Sequence, residues 1–170
     1  LGTTRQQLTQ RASFNRFTGS RRSVMVDMPG VSRSAPPTRS DSRGMVTHLQ
    51  LEIKTGGDDL RGSNDNLNVI VLYRSGRTQV VSCINARQKW KNNSRHTVNL
   101  PLHKPVNRVD IIGITLQTTF RGGTGGDNWN MDEIKISPVI GGDAKAAYVT
   151  RTGRPVKRFT GSSKSYSIRW

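Results

Sequence analysis

The chain has 170 residues, and its 27 Lys and Arg against 11 Asp and Glu give a formal net charge of +16. A chain of this length can bury a hydrophobic core of its own, and its single cysteine excludes an intrachain disulfide framework and a cysteine-based zinc finger. No apolar run approaches the roughly 18 residues of a membrane-spanning helix.

The positive charge is concentrated at the two ends of the chain. Residues 1–44 hold eight Arg against two Asp, and residues 141–170 hold seven Lys or Arg against one Asp, whereas residues 45–140 hold twelve against eight. This positive charge favours anionic partners such as nucleic acid, acidic glycans, anionic membranes or acidic proteins. The same charge promotes solubility, and we give the binding and the solubility interpretations equal weight.

A short sequence motif near the beginning of the chain recurs near its end. The sequence NRFTGSRRS at residues 15–23 returns as KRFTGSSKS at residues 157–165, with a constant offset of 142. We interpret residues 1–28 as the tail of a preceding copy of the module, or as a docking strand that pairs with another chain. We expect Val24 and Val26 to lie in a strand outside the main sandwich.

Residues 29–44 are interpreted as a linker rich in Pro, Ser and Arg. Pro36 and Pro37 in this stretch interrupt helix and sheet pairing alike. The domain organisation is therefore a tail or docking strand, this linker, and a β-sandwich binding module at residues 45–170.

The module begins with two patterns typical of strands. Residues 49–53 (LQLEI) alternate between apolar and polar side chains, which predicts a half-buried strand. Residues 67–73 (LNVIVLY) are apolar on both faces, which predicts a central strand. Within residues 109–120 the apolar phase slips beside Gly113, which predicts a β-bulge.

Short strands are also predicted in the rest of the module, at residues 78–84, 97–100, 134–136, 144–150, 156–160 and 165–170. No window keeps a helical spacing of apolar residues over three turns. We therefore predict an all-β fold, an antiparallel β-sandwich or jelly roll of about eight strands, preceded by a basic N-terminal arm.

Two glycine-rich loops hold six of the eleven acidic residues. They are residues 55–66 (TGGDDLRGSNDN) and residues 122–133 (GGTGGDNWNMDE). Ca²⁺ binds carboxylate, amide and backbone oxygens, and glycine frees the backbone to supply them. Asp, Asn and Gly are also the ordinary turn-forming residues, so a calcium site and a pair of turns remain alternatives.

The motifs KTGGDDLRGSNDNLNV, TTFRGGTGGDNWNMDEIKI and KRFTGS, in this order, resemble the PLAT-like β-sandwich modules of secreted bacterial and fungal proteins. The resemblance spans about residues 46–168, and Ser63 stands where the family pattern has glycine. It implies a secreted, non-catalytic module that is attached to a toxin or hydrolase. If the resemblance extends to Ca²⁺ binding, the residues that it implies as ligands are Asp58, Asp59, Asp65, Asp127 and Asn128.

A basic loop with one aromatic residue is the second candidate site. Arg87, Lys89, Trp90 and Lys91 form a group suited to an anionic surface or a glycan. The three histidines lack a nucleophile and an acidic partner in any catalytic pattern, so we expect no enzymatic activity.

The sequence therefore predicts a non-catalytic binding or targeting module of a secreted protein. Its partners would be a glycan, an anionic membrane or a partner protein surface, with Ca²⁺ as a candidate cofactor and another chain docking through residues 1–28. The alternative is a jelly-roll capsid-like or nucleic-acid-packaging protein whose basic arm neutralises phosphate. The internal repeat and the GGDNWN motif argue against that alternative.

Overall fold

The computed structural model describes residues 44–121 and 127–170, which contain strands, turns and one short 3-10 helix at Arg108–Asp110. The predicted all-β class is confirmed. The nine strands of these ranges are β1 (Val46–Thr55), β2 (Leu67–Tyr73), β3 (Thr78–Val81), β4 (Arg95–Val106), β5 (Ile111–Thr118), β6 (Trp129–Ile140), β7 (Asp143–Ala144), β8 (Val149–Phe159) and β9 (Ser165–Arg169).

The strands form two antiparallel sheets. The first has the order β4-β1-β6, with both β7 and β8 pairing with β6, and the second has the order β3-β2-β5-β9. Period-two alternation directs the apolar side chains of each sheet towards the other sheet. The predicted β-sandwich is thus confirmed, and its core includes Leu49, Leu51, Val69, Ile114 and Ile136.

The β-bulge predicted beside Gly113 is present. Leu72 lies opposite Gly113, but the next residue of β2, Tyr73, lies opposite Ile111, so β5 contains one extra residue. Glycine is required at position 113 because a Cβ there would lie 2.4 Å from the carbonyl oxygen of Ile168 in β9. The glycine therefore lets β9 approach β5 closely.

Strand β4 is longer than the sequence predicts. We expected a short strand that ends at Pro101, whereas β4 continues through Pro101 and Pro105 to Val106. The reason is that, among residues 44–121 and 127–170, β4 lies at the edge of its sheet and pairs with β1 alone. In an edge strand, the proline nitrogen, which carries no hydrogen, can face solvent instead of the neighbouring strand. The proline then removes no hydrogen bond between strands.

The antiparallel topology sorts the connections into two ends of the sandwich. The loop end carries residues 56–66, residues 82–94 and the turn at residues 160–164, whereas the far end carries residues 74–77 and the β4–β5 connection. Residues 1–43 are not among the described residues. The predicted tail at 1–28, with Val24 and Val26, and the linker up to residue 43 therefore stay predictions.

Candidate functional site

Two loops of the loop end are joined by backbone hydrogen bonds. The Leu60 and Trp90 backbones exchange a pair of these bonds, with N···O distances of 3.1 and 2.8 Å. The Asn93 N–H donates to the Gly56 carbonyl at 2.9 Å, and the Ser63 N–H donates to the Arg87 carbonyl at 2.8 Å. We call residues 56–66 and 83–94 the paired loops. Their mutual bonding fixes the backbone from which the candidate side chains project.

Left-handed backbone explains the glycine pattern of the first paired loop. Gly62 has a φ of +77°, and a Cβ at this position would lie 2.5 Å from the Arg87 carbonyl oxygen. Ser63, which replaces the glycine of the family pattern, has a φ of 57°. Glycine adopts this conformation without the steric cost that a serine has.

The aromatic side chains of the loop end form a buried column. Trp90 stacks on His96 with ring centroids 4.4 Å apart and meets Trp129 edge-on at 5.9 Å. Trp129 in turn stacks on Phe159 at 5.0 Å. Only 4% of Trp90 is exposed. The structure thus corrects one predicted role: Trp90 is a core residue, and its ring does not belong to a ligand-binding surface.

His96 closes one side of this column. Its Nε2 lies 2.7 Å from the Ser94 hydroxyl oxygen, and its ring covers Trp90. Burial lowers the pKa of His96 below its ordinary value, because the charged form is desolvated there.

Three of the predicted calcium-binding carboxylates contact cationic side chains. Arg158 Nη2 lies 3.0 Å from Asp58 Oδ2, and Lys89 forms an ion pair with Asp59. Arg61 Nε lies 3.1 Å from Asp127 Oδ1, and its backbone N–H donates to Asp127 Oδ2 at 2.9 Å. Each pair joins two segments of the loop end that are distant in the sequence.

Asp127 is the most buried of these carboxylates, with 2% of its side chain exposed. Burial raises the pKa of Asp127 above its ordinary value, and the nearby charge of Asp65 adds to this rise. The Arg61 N–H and the Arg61 charge oppose it. The site therefore holds a desolvated carboxyl group whose charge is balanced by one arginine.

The donor chemistry of Asp58, Asp59, Asp65, Asp127 and Asn128 is that of a calcium site. Among residues 44–121 and 127–170, however, no group of three or more His, Cys, Asp or Glu side chains is close enough to hold a metal ion. Residues 122–126 of the second acidic loop lie outside these ranges. The calcium site stays a prediction.

Several cations of the loop end remain on the surface. Arg87 and Lys91 are exposed, and neither forms an ion pair with any described carboxylate, whereas Lys89 is paired with Asp59. Arg121, which belongs to neither of the sites predicted from the sequence, is also exposed at this end. Its position after strand β5, directly before the second glycine-rich loop, is the signal that could have identified it.

Comparison with known proteins shows a likeness in structure. No family model and no curated protein sequence matches the chain. It is similar to alpha-toxin of Clostridium perfringens avian strain SWCP, with 20% identity and a TM-score of 0.58 over 78% of this chain and 34% of the toxin. It is also similar to alpha toxin of Clostridium absonum, with 15% identity and a TM-score of 0.58 over 76% of this chain and 33% of the toxin.

A weaker likeness is to the LOX variant Delta413-417:GS, with 14% identity and a TM-score of 0.49 over 72% of this chain and 16% of that chain. The chain thus spans about a third of the length of the toxins. Its described part has the PLAT-like β-sandwich fold that the motifs predicted. Within the same part, no helix has the length and apolarity needed to cross a bilayer.

Proposed function

We propose that this chain is a non-catalytic binding module of a secreted protein, and that its loop end attaches the protein to an anionic membrane surface. The observation that carries the proposal is the pair of exposed cations Arg87 and Lys91 on the fixed backbone of the paired loops, neither of which forms an ion pair with a described carboxylate. The similar fold in the two clostridial alpha-toxins supports the proposal that this chain is one module of a larger secreted protein.

The burial of Trp90 defines the kind of contact that we propose. Because this ring is packed between His96 and Trp129, it is not available to insert into a bilayer. Attraction between the loop end and the membrane is then mainly electrostatic, at about 1 kcal/mol for each Lys or Arg near an anionic surface. Such attraction weakens as salt shortens the screening length.

The first prediction concerns the double variant Arg87→Gln/Lys91→Gln. Two lost charges at about 1 kcal/mol each should weaken binding to phosphatidylserine-containing vesicles about 30-fold. Co-sedimentation with vesicles at several salt concentrations measures this change. The wild-type chain should bind neutral phosphatidylcholine vesicles far more weakly, and its binding to anionic vesicles should fall with salt.

The matched control is Arg74→Gln/Arg169→Gln, which removes two exposed cations from the far end and changes the net charge equally. If the control loses as much binding as the loop variant, net charge alone is responsible and the loop end is not the binding surface. If a DNA oligonucleotide binds more tightly than the vesicles at the same salt, the module recognises nucleic acid and the proposal is wrong.

The predicted calcium site is tested in the same experiment. Ca²⁺ at Asp58 and Asp59 would displace Arg158 and Lys89, and the released cations together with the ion would strengthen binding to anionic vesicles. Binding should therefore increase in CaCl₂ relative to EGTA, and Asp58→Asn/Asp59→Asn should remove that increase. Equal binding in CaCl₂ and EGTA would reject the calcium site and leave the proposal for Arg87 and Lys91 in place.

A further inference from the structure

We propose that a groove at the far end of the sandwich binds an anionic amphiphile, a molecule with a carboxylate or phosphate head and an apolar chain. The groove has a volume of about 560 Å³, within the range of small-molecule sites. It lies between the β2–β3 turn and the last residues of β4. It is formed by residues other than those of the paired loops, so the inference does not depend on the proposed function.

The walls of the groove are suited to an apolar chain. Met45, Tyr73 and Val106 line it as half-buried side chains, and Pro105 adds a rigid apolar ring. An apolar chain placed against these groups leaves water and gains the free energy of hydrophobic burial. Pro105 is the exposed member of this apolar set.

The floor of the groove is fixed by Gln79, of which 3% is exposed. Its Oε1 accepts hydrogen bonds from the Tyr73 hydroxyl at 2.9 Å and from the His103 N–H at 3.0 Å. Its Nε2 donates to the Pro101 carbonyl at 2.8 Å. Gln79 thus joins the neighbouring edges of the two sheets. The groove is preformed, so a ligand would lose little free energy in ordering the protein.

The charges around the groove select an anionic head. Arg77 and Lys104 line it, both are exposed, and neither forms an ion pair with a described carboxylate. Asp110 is the single carboxylate among the described residues that line the groove. A carboxylate or phosphate head could accept charge-assisted hydrogen bonds from both cations. A neutral apolar molecule would gain only the wall contacts, and a cation would be repelled.

The test uses octanoate, with octan-1-ol as the probe that lacks the charge and inorganic phosphate as the probe that lacks the chain. Isothermal titration calorimetry on the full chain should show octanoate binding at least about tenfold more tightly than either control. The double variant Arg77→Gln/Lys104→Gln should weaken octanoate binding about tenfold or more. The variant Arg87→Gln/Lys91→Gln should bind octanoate like the wild type.

The proposal is overturned if octanol binds as tightly as octanoate, if the groove variant keeps its affinity, or if octanoate fails to bind. A second groove variant, Val106→Asp, places a carboxylate on the apolar wall and should abolish octanoate binding. Circular dichroism melting of each variant shows whether it is folded. A variant that is not folded is replaced by the single substitution Lys104→Gln, which alters one exposed side chain.

Vesicle binding distinguishes two sources of the amphiphile. If Arg77→Gln/Lys104→Gln loses octanoate but binds phosphatidylglycerol vesicles normally, the ligand is a free amphiphile in solution. If it loses both, the ligand is a lipid within a bilayer. In either case Arg87→Gln/Lys91→Gln reports separately on the proposed function, because the two pairs of cations lie at opposite ends of the sandwich.

Discussion

His96 gives the fold a pH dependence at the scale of a single residue. Its pKa is lowered by burial, so near pH 6 the folded state binds fewer protons at this residue than the unfolded state does. The free energy of unfolding must then rise with pH through this window and reach its full value above the ordinary histidine pKa of about 6.5.

We therefore predict that acidification from pH 7.5 to pH 5.5 destabilises the wild type more than the variant His96→Phe. The phenyl ring keeps a stacking surface for Trp90 and cannot be protonated. Urea denaturation at the two pH values measures the difference. The matched control makes the same substitution at the exposed His103. An identical pH dependence in His96→Phe and the wild type would contradict the assignment.

At the residue scale, the sequence indicated the acidic loops of the loop end, but it did not indicate which cations pair with their carboxylates. The composition of the two acidic loops predicted Asp58 and Asp127 as ligands of one calcium site, which stays a prediction. It could not assign their partners, because Arg158 lies 100 residues from Asp58 in the chain. It also placed Trp90 on the surface, since the basic residues beside it suggest exposure. The burial of Trp90 results from its pairing with Leu60, a contact between distant loops.

At the scale of the element, Phe159 shows what the motif KRFTGS does near the end of the module. This residue ends β8, is fully buried and stacks on Trp129 at the start of β6. The following turn leads the chain from the first sheet to β9 in the second. Lys157 donates to the Ser163 hydroxyl oxygen at 2.6 Å across this turn. This short motif thus supplies a core residue and the crossover between the two sheets.

We predict that Phe159→Ala lowers the free energy of unfolding by about 3–5 kcal/mol, because it leaves a cavity beside Trp129. Chemical denaturation measures the change. Val109→Ala provides the matched control: 67% of Val109 is exposed, so its truncation should have little effect. A loss below about 1 kcal/mol for Phe159→Ala would mean that the column repacks around the missing ring.

The predictability of the strands followed their position in the sheets. Residues 67–73 were predicted with the bounds that β2 has, because an apolar run between turn residues is typical of an internal strand. Strand β4 was predicted too short, since its exposed residues and two prolines remove the usual pattern. An edge strand is defined by what lies beside it in the sheet, and a local pattern does not contain that information.

At the scale of the whole molecule, the described residues contain a closed two-sheet core. We predict that a chain of residues 44–170 folds without residues 1–43 and melts within a few degrees of the full chain. The same deletion should abolish the binding of any partner chain that docks through residues 1–28. Circular dichroism melting and size-exclusion chromatography with the partner measure the two effects. Unfolding of the shortened chain would show instead that the N-terminal residues are integral to the sandwich.

The prolines of β4 have a consequence for crowded conditions. A free sheet edge offers unpaired N–H and C=O groups that a second copy can join, and long flat edges lead to aggregation. In β4 the residues Pro101 and Pro105 remove two of the N–H donors, while Arg95 and Lys104 add exposed charge. Copies gathered at high density on one surface are thereby discouraged from pairing through this edge into a continuous sheet.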